Sequence, residues 1–172
     1  MKRSALNSSE YNSFYQTYID QLPDEELITI LKNQKEEFII FLKSLKEEDL
    51  KHSYGKGKWT VAQVLQHLID TERIFQYRAL TIAREDLTPL PGFDQDAYVP
   101  VSMANRRSLA SYTKEFELVR DAGIALFESF EDQMSEKIGE ASKSHLSPRA
   151  AGFIAAGHQK HHLLLFKSHY KL

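Results

Sequence analysis

The sequence contains no cysteine. Disulfides, thiolate catalysis, zinc ribbons and iron–sulfur clusters are therefore excluded, and the composition fits a reducing compartment. Glycine and proline are scarce, at 7 and 5 residues. They fall where helical patterns stop: Pro23, Gly55 with Gly57, Pro89–Pro91–Gly92, Pro100 and Pro148. Charge of one sign is not in excess, since 22 Lys and Arg face 24 Asp and Glu for a net −2. That near-balance removes the main argument for a nucleic-acid partner. Long apolar runs are missing too. Phe38–Leu42 and Leu163–Phe166 fall far short of the ~20 residues that span a bilayer. The opening MKRSALNSSEYNSF is basic without an apolar core, so neither a secretory signal nor a membrane partner is expected, and the cytoplasm is the expected location. Neither alternating strands nor a fixed-period repeat can be found.

What is present is helical periodicity. The length of 172 residues, 42% of them hydrophobic and 27% charged, predicts one globular domain over 1–172. A first helix is expected just after Pro23, with Asp24, Glu25 and Glu26 near its positive end and a seam of Leu27, Leu31, Phe38, Phe41, Leu42 and Leu45. A second starts at Thr60, with Gln63 as its capping-box partner, and carries Val61, Val64, Leu65, Leu68, Phe75, Ala79 and Ile82. A third is expected from near Ser102 to Phe130. The last runs from Ser147, with Pro148 at its first turn, to about Tyr170. Each has one apolar face, so the fold expected is an all-α four-helix bundle. A shorter helix near Ser9 to Ile19 is placed across it. The stretch Glu85–Val101 is long for a bundle connection and reads as a functional loop, with Phe93 and Tyr98 at the mouth of a substrate pocket.

The conspicuous chemistry is seven histidines. His158 and His162 stand four apart on the last helix, so their rings leave one face and can share a cation. Composition alone supplies roughly 0.3 pairs at that spacing, so spacing is weak by itself. Direction adds to it, because His158, His162, Ile154 and Leu165 form one stripe turned into the bundle. Buried imidazoles need partners. Those partners are a divalent cation or, equally, core carboxylates and backbone. Gln159 stands where a zinc-protease HExxH signature carries its Glu, so HQKHH is not that site. His161 reads as a flanking residue, His52 and His145 as solvated loop residues, and His169 lies about 10 Å further along the axis. A third ligand is best sought on another helix. His67 sits at the edge of the second helix's seam, on a stripe with Thr71, Ile74 and Arg78, where a lone histidine is also compatible with a satisfied core residue. Glu72 falls within the seam and needs a partner, either Arg78 or a metal-bound histidine. Asp70 points away from the seam.

The segments YGKGKWTVAQVLQHLIDTERIFQYRAL, LTPLPGFDQDAYV and AGHQKHHLLLFKSHY resemble the DinB/YfiT-like superfamily, over about Tyr11 to Tyr170. The resemblance implies a down-up-up-down four-helix bundle with one long crossover. It also implies a divalent cation, zinc or nickel, held by His67, His158 and His162 with water completing the shell. An open water position marks catalytic sites, so the function implied is a metal-dependent enzyme that activates a thiol or water towards a small-molecule electrophile, as a thiol S-transferase or hydrolase. A low-molecular-weight thiol then becomes a candidate cofactor. The alternative is a non-catalytic stress-response or binding module with a structural metal. In the catalytic reading Glu72 orients a ligand ring or accepts a proton. The family's habit of pairing, with 8 Tyr and 10 Phe, makes a homodimer the expected assembly.

Overall fold

Each of the four long apolar-faced segments is a helix in the computed structural model, which describes residues 1–172. The chain opens with short 3-10 turns and a four-residue helix α1 (Gln16–Ile19), followed by α2 (Leu27–Ser44) and α3 (Val61–Ala83). Next come α4 (Gln95–Val101), α5 (Leu109–Glu128), α6 (Asp132–Ser135) and α7 (Pro148–Leu165), which continues as a π-helical turn over Phe166–Tyr170. The caps written in the sequence are made. The Thr60 hydroxyl accepts from the Gln63 N–H while the Gln63 carboxamide accepts from that of Thr60, at 3.2 and 2.8 Å. Ser147 accepts from the Ala150 N–H at 3.0 Å, with Pro148 in the first turn.

Side-chain pairings fix the helix directions. Lys32 meets Glu128 and Lys35 meets Asp121, so α2 and α5 are antiparallel. Arg73 meets Glu115 and Gln76 reaches the Val119 carbonyl, so α3 and α5 are parallel. Gln34 reaches the Ala156 carbonyl and Glu37 meets Lys160, so α2 and α7 are parallel. The result is the down-up-up-down bundle. Joining the parallel α3 and α5 requires a crossover along the length of the bundle, and residues 84–108 provide it.

Four features differ from expectation. The third long helix begins at Leu109, not near Ser102, because Met103 is left-handed (φ 55°) and Arg107 is extended. The long loop carries α4, capped by the Asp94 side chain. A two-stranded hairpin, β1 (Gly139–Ala141) with β2 (Ser144–Leu146), precedes α7, and its three-residue strands are too short to show alternation. The segment expected as one helix over Ser9 to Ile19 is instead two 3-10 turns leading into α1.

The interior is two apolar clusters, of 20 and 19 buried residues. A polar layer with one residue from each long helix runs through the buried interior: Gln34, Glu72, Arg120 and Gln159. Arg120 is fully buried. It donates to Glu72 through Nε and Nη2 at 2.7 and 2.8 Å, and also to the Gln159 carboxamide. Gln159 in turn donates to the Gln34 carbonyl at 3.2 Å.

Candidate metal centre

Helix α3 delivers one imidazole and α7 delivers two, and they meet between the helices. Nε2 of His158 lies 3.0 Å from Nε2 of His67 and 3.1 Å from Nε2 of His162. One ring nitrogen from each of the three lies within 4.8 Å of the others. Nitrogens bound about 2.1 Å from one cation, at angles between 90° and 109°, would stand ~3.0–3.4 Å apart. The two distances from His158 therefore suit a shared ion. His67 and His158 are only 5% and 8% exposed. Burial holds the pKa of His67 down to about 4. Burial, with the neighbouring rings of His67 and His161, holds that of His162 to about 3. His158 is also pushed well below its usual value, by burial and then by the adjacent histidines. All three rings are therefore neutral at pH 7, and each offers a lone pair.

Tautomers strengthen the fit. The Thr71 hydroxyl lies 3.3 Å from Nδ1 of His67 and can accept its proton, which leaves Nε2 as the lone-pair nitrogen. Nδ1 of His162 is buried without a partner. Three buried lone pairs crowding one point are unfavourable alone and favourable around a cation. Aromatic rings close the flanks, with Trp59 5.1 Å from His67 and Tyr18 5.6 Å from His158, centroid to centroid. Helix α1 approaches α7 closely here: a Cβ on Gly157 would stand 2.4 Å from the Tyr18 carbonyl oxygen, so glycine is required beside His158.

The structure brings His67, His158 and His162 together and disperses the other candidates. Glu72 orients none of the rings, because both of its oxygens are held by Arg120. Arg78 does not pair with Glu72 either. It donates to the Pro91 carbonyl and the Ser142 hydroxyl, both at 2.9 Å. Phe93 and Tyr98 do not roof the imidazoles. Their rings pack against each other at 5.8 Å with a tilt of 49°, and Phe93 lies 5.8 Å from the Arg78 guanidinium, well along α3. His161 flanks the cluster against Tyr18, while His52, His145 and His169 are exposed. Asp70 is partly buried and accepts from Gln66 at 2.9 Å. Sequence reasoning missed Trp59 and Tyr18 as neighbours of the rings and Arg120 as the partner of Glu72. For Thr71 the signal was present, since it stands one turn beyond His67 on the same stripe.

Such a bundle, with three inward histidines on two facing helices, defines the class: a four-helix protein with a candidate metal centre. The chain belongs to the DinB superfamily, whose sequence model matches residues 30–166. A protein of Oceanobacillus iheyensis, provisionally named a metal-dependent hydrolase, is 25% identical over 126 residues, which cover 72% of each chain. The solved structure of YfiT from Bacillus subtilis superposes with a TM-score of 0.75 over 84% of each chain at 18% identity. Its description gives an unusual four-helix bundle topology and a provisional assignment as a metal-dependent hydrolase. At that identity the likeness speaks for the fold.

Proposed function

We propose that this chain is a metal-dependent hydrolase acting on a small-molecule substrate, with a divalent cation held by His67, His158 and His162. The observation carrying this reading is the convergence of three neutral ring nitrogens with no fourth protein ligand. Closed structural sites recruit four protein ligands, whereas catalytic sites leave a position for water or substrate. A bound divalent cation supplies Lewis acidity that makes water acidic near neutral pH. The chain supports this in three ways. Its ligand set is uncharged, so the ion's positive charge is not diminished. Thr71 fixes the His67 ring, and Trp59 and Tyr18 keep bulk solvent from the flanks. Imidazole ligands suit zinc and nickel alike. Because the chain has no cysteine, a thiol nucleophile would come from solution. Assays with and without a low-molecular-weight thiol therefore separate transfer from hydrolysis.

The test is elemental analysis with a hydrolase substrate panel. The protein as purified is expected to carry one divalent ion per chain, and His158→Ala to lose both the stoichiometric metal and any turnover found. One-to-one metal at unchanged affinity in that variant would overturn the ligand assignment. Metal loss without loss of turnover would overturn the catalytic one.

A further inference from the structure

Arg78 is a buried cation without an anion. It is 2% exposed, and its guanidinium faces the rings of Phe75 and Phe93 at 5.2 and 5.8 Å. Its Nη2 donates to two neutral acceptors, the Pro91 carbonyl and the Ser142 hydroxyl. The Tyr15 hydroxyl adds a side-chain hydrogen bond to it. The other arginines that reach the interior are treated differently: Arg120 clasps Glu72, Arg149 clasps Glu10, and Arg107 meets Glu115. For Arg78 no carboxylate lies within ion-pair distance. Arg78 also borders open space.

That space is a cavity of about 190 Å³ lined by Arg78 together with Asn12, Tyr15, Ser142, Ser144 and His145. Liquid water takes about 30 Å³ per molecule, so a small organic acid fits. The lining offers one permanent positive charge, hydroxyls and an amide, with an apolar wall from Phe14 and Leu146. A buried charge is costly unless it is paired, and this cavity is where the partner can enter. We propose that the cavity is a binding site for the carboxylate of a small organic acid, with Arg78 as its counter-ion and Ser142, Ser144 and Asn12 as hydrogen-bonding groups. One monoanion balances one guanidinium, whereas a dianionic phosphate would leave net negative charge in the cleft. The site lies eleven residues along α3 from His67, about 16 Å, so it stands whether or not the histidines hold a cation.

The test measures melting temperature against butyrate, with butyramide and inorganic phosphate at matched ionic strength, in the presence of a chelator so that metal plays no part. Butyrate is expected to raise the melting temperature saturably, and butyramide to have no effect. Arg78→Leu should abolish the response. Because that variant can also lose packing, Asn12→Asp provides an independent check. Asp keeps the cap that Asn12 makes on the Phe14 N–H while placing a carboxylate in the cavity. It should melt higher than the unsubstituted protein in plain buffer and bind butyrate at least tenfold more weakly. Equal effects of butyrate and butyramide, a saturable response to phosphate alone, or an unchanged butyrate affinity in Asn12→Asp would each overturn the proposal.

Discussion

At the scale of single residues, the Thr71 hydroxyl influences which nitrogen of His67 faces the other two rings, and this makes a narrow prediction. Thr71→Val keeps the shape and removes the acceptor at 3.3 Å from Nδ1. Groups that orient a metal-binding imidazole are worth about 10–100-fold in affinity. Chelator competition should therefore show metal binding weakened by about tenfold or more, with the thermal unfolding curve little changed. Unchanged affinity would assign Thr71 to packing alone. The residues of the cluster were largely legible in the sequence, because 100° per residue places His158 and His162 on one inward stripe whatever surrounds them. Their surroundings were not. Glu72 had to find a buried partner, but nothing local could choose between Arg78, six residues on, and Arg120, 48 residues away on another helix. That choice is made by how α3 and α5 pack in parallel.

At the scale of elements, the amino terminus of α7 is tied down by a carboxylate from the start of the chain. Glu10 accepts from Ser147 Oγ at 2.6 Å and from Arg149 Nε and Nη2 at 2.7 and 2.6 Å. Burial would raise its pKa, but the bonds from Arg149 and Ser147 outweigh burial and hold the carboxyl below 4.5. The sign follows from linkage. Since the folded value lies below the unfolded one, the contribution of Glu10 is complete above about pH 4.5 and is lost as pH falls through the folded value. Urea midpoints of Glu10→Gln should be lower at pH 7 and should approach those of the unsubstituted protein as the medium is acidified. A difference that stays constant at all pH values would show that the ionisation of Glu10 contributes nothing. Elements of this kind were hard to read in advance. Caps at Thr60 and Ser147 are local grammar and were visible, whereas the hairpin before α7 and the break at Met103 are imposed by neighbours that sequence windows do not contain.

At the scale of the molecule, the polar layer ties together all four long helices. Removing one member of a buried ion pair typically costs about 3–5 kcal/mol, while replacing both with apolar groups is often neutral. Glu72→Leu should accordingly destabilise the protein by about that amount in chemical denaturation, and Glu72→Leu combined with Arg120→Met should recover most of the loss. Additive costs would show that the two side chains are not coupled. The layer also acts as an alignment gauge. Gln159 follows His158 directly, and Glu72 stands five residues after His67, so the bonds through Arg120 peg α7 against α3 close to the imidazoles. A slip of α7 by a single residue would carry His158 about 1.5 Å along the axis and 100° around it. The three nitrogens would then have no common centre. The tolerance of the cluster is thus set by an ion pair that touches none of its rings.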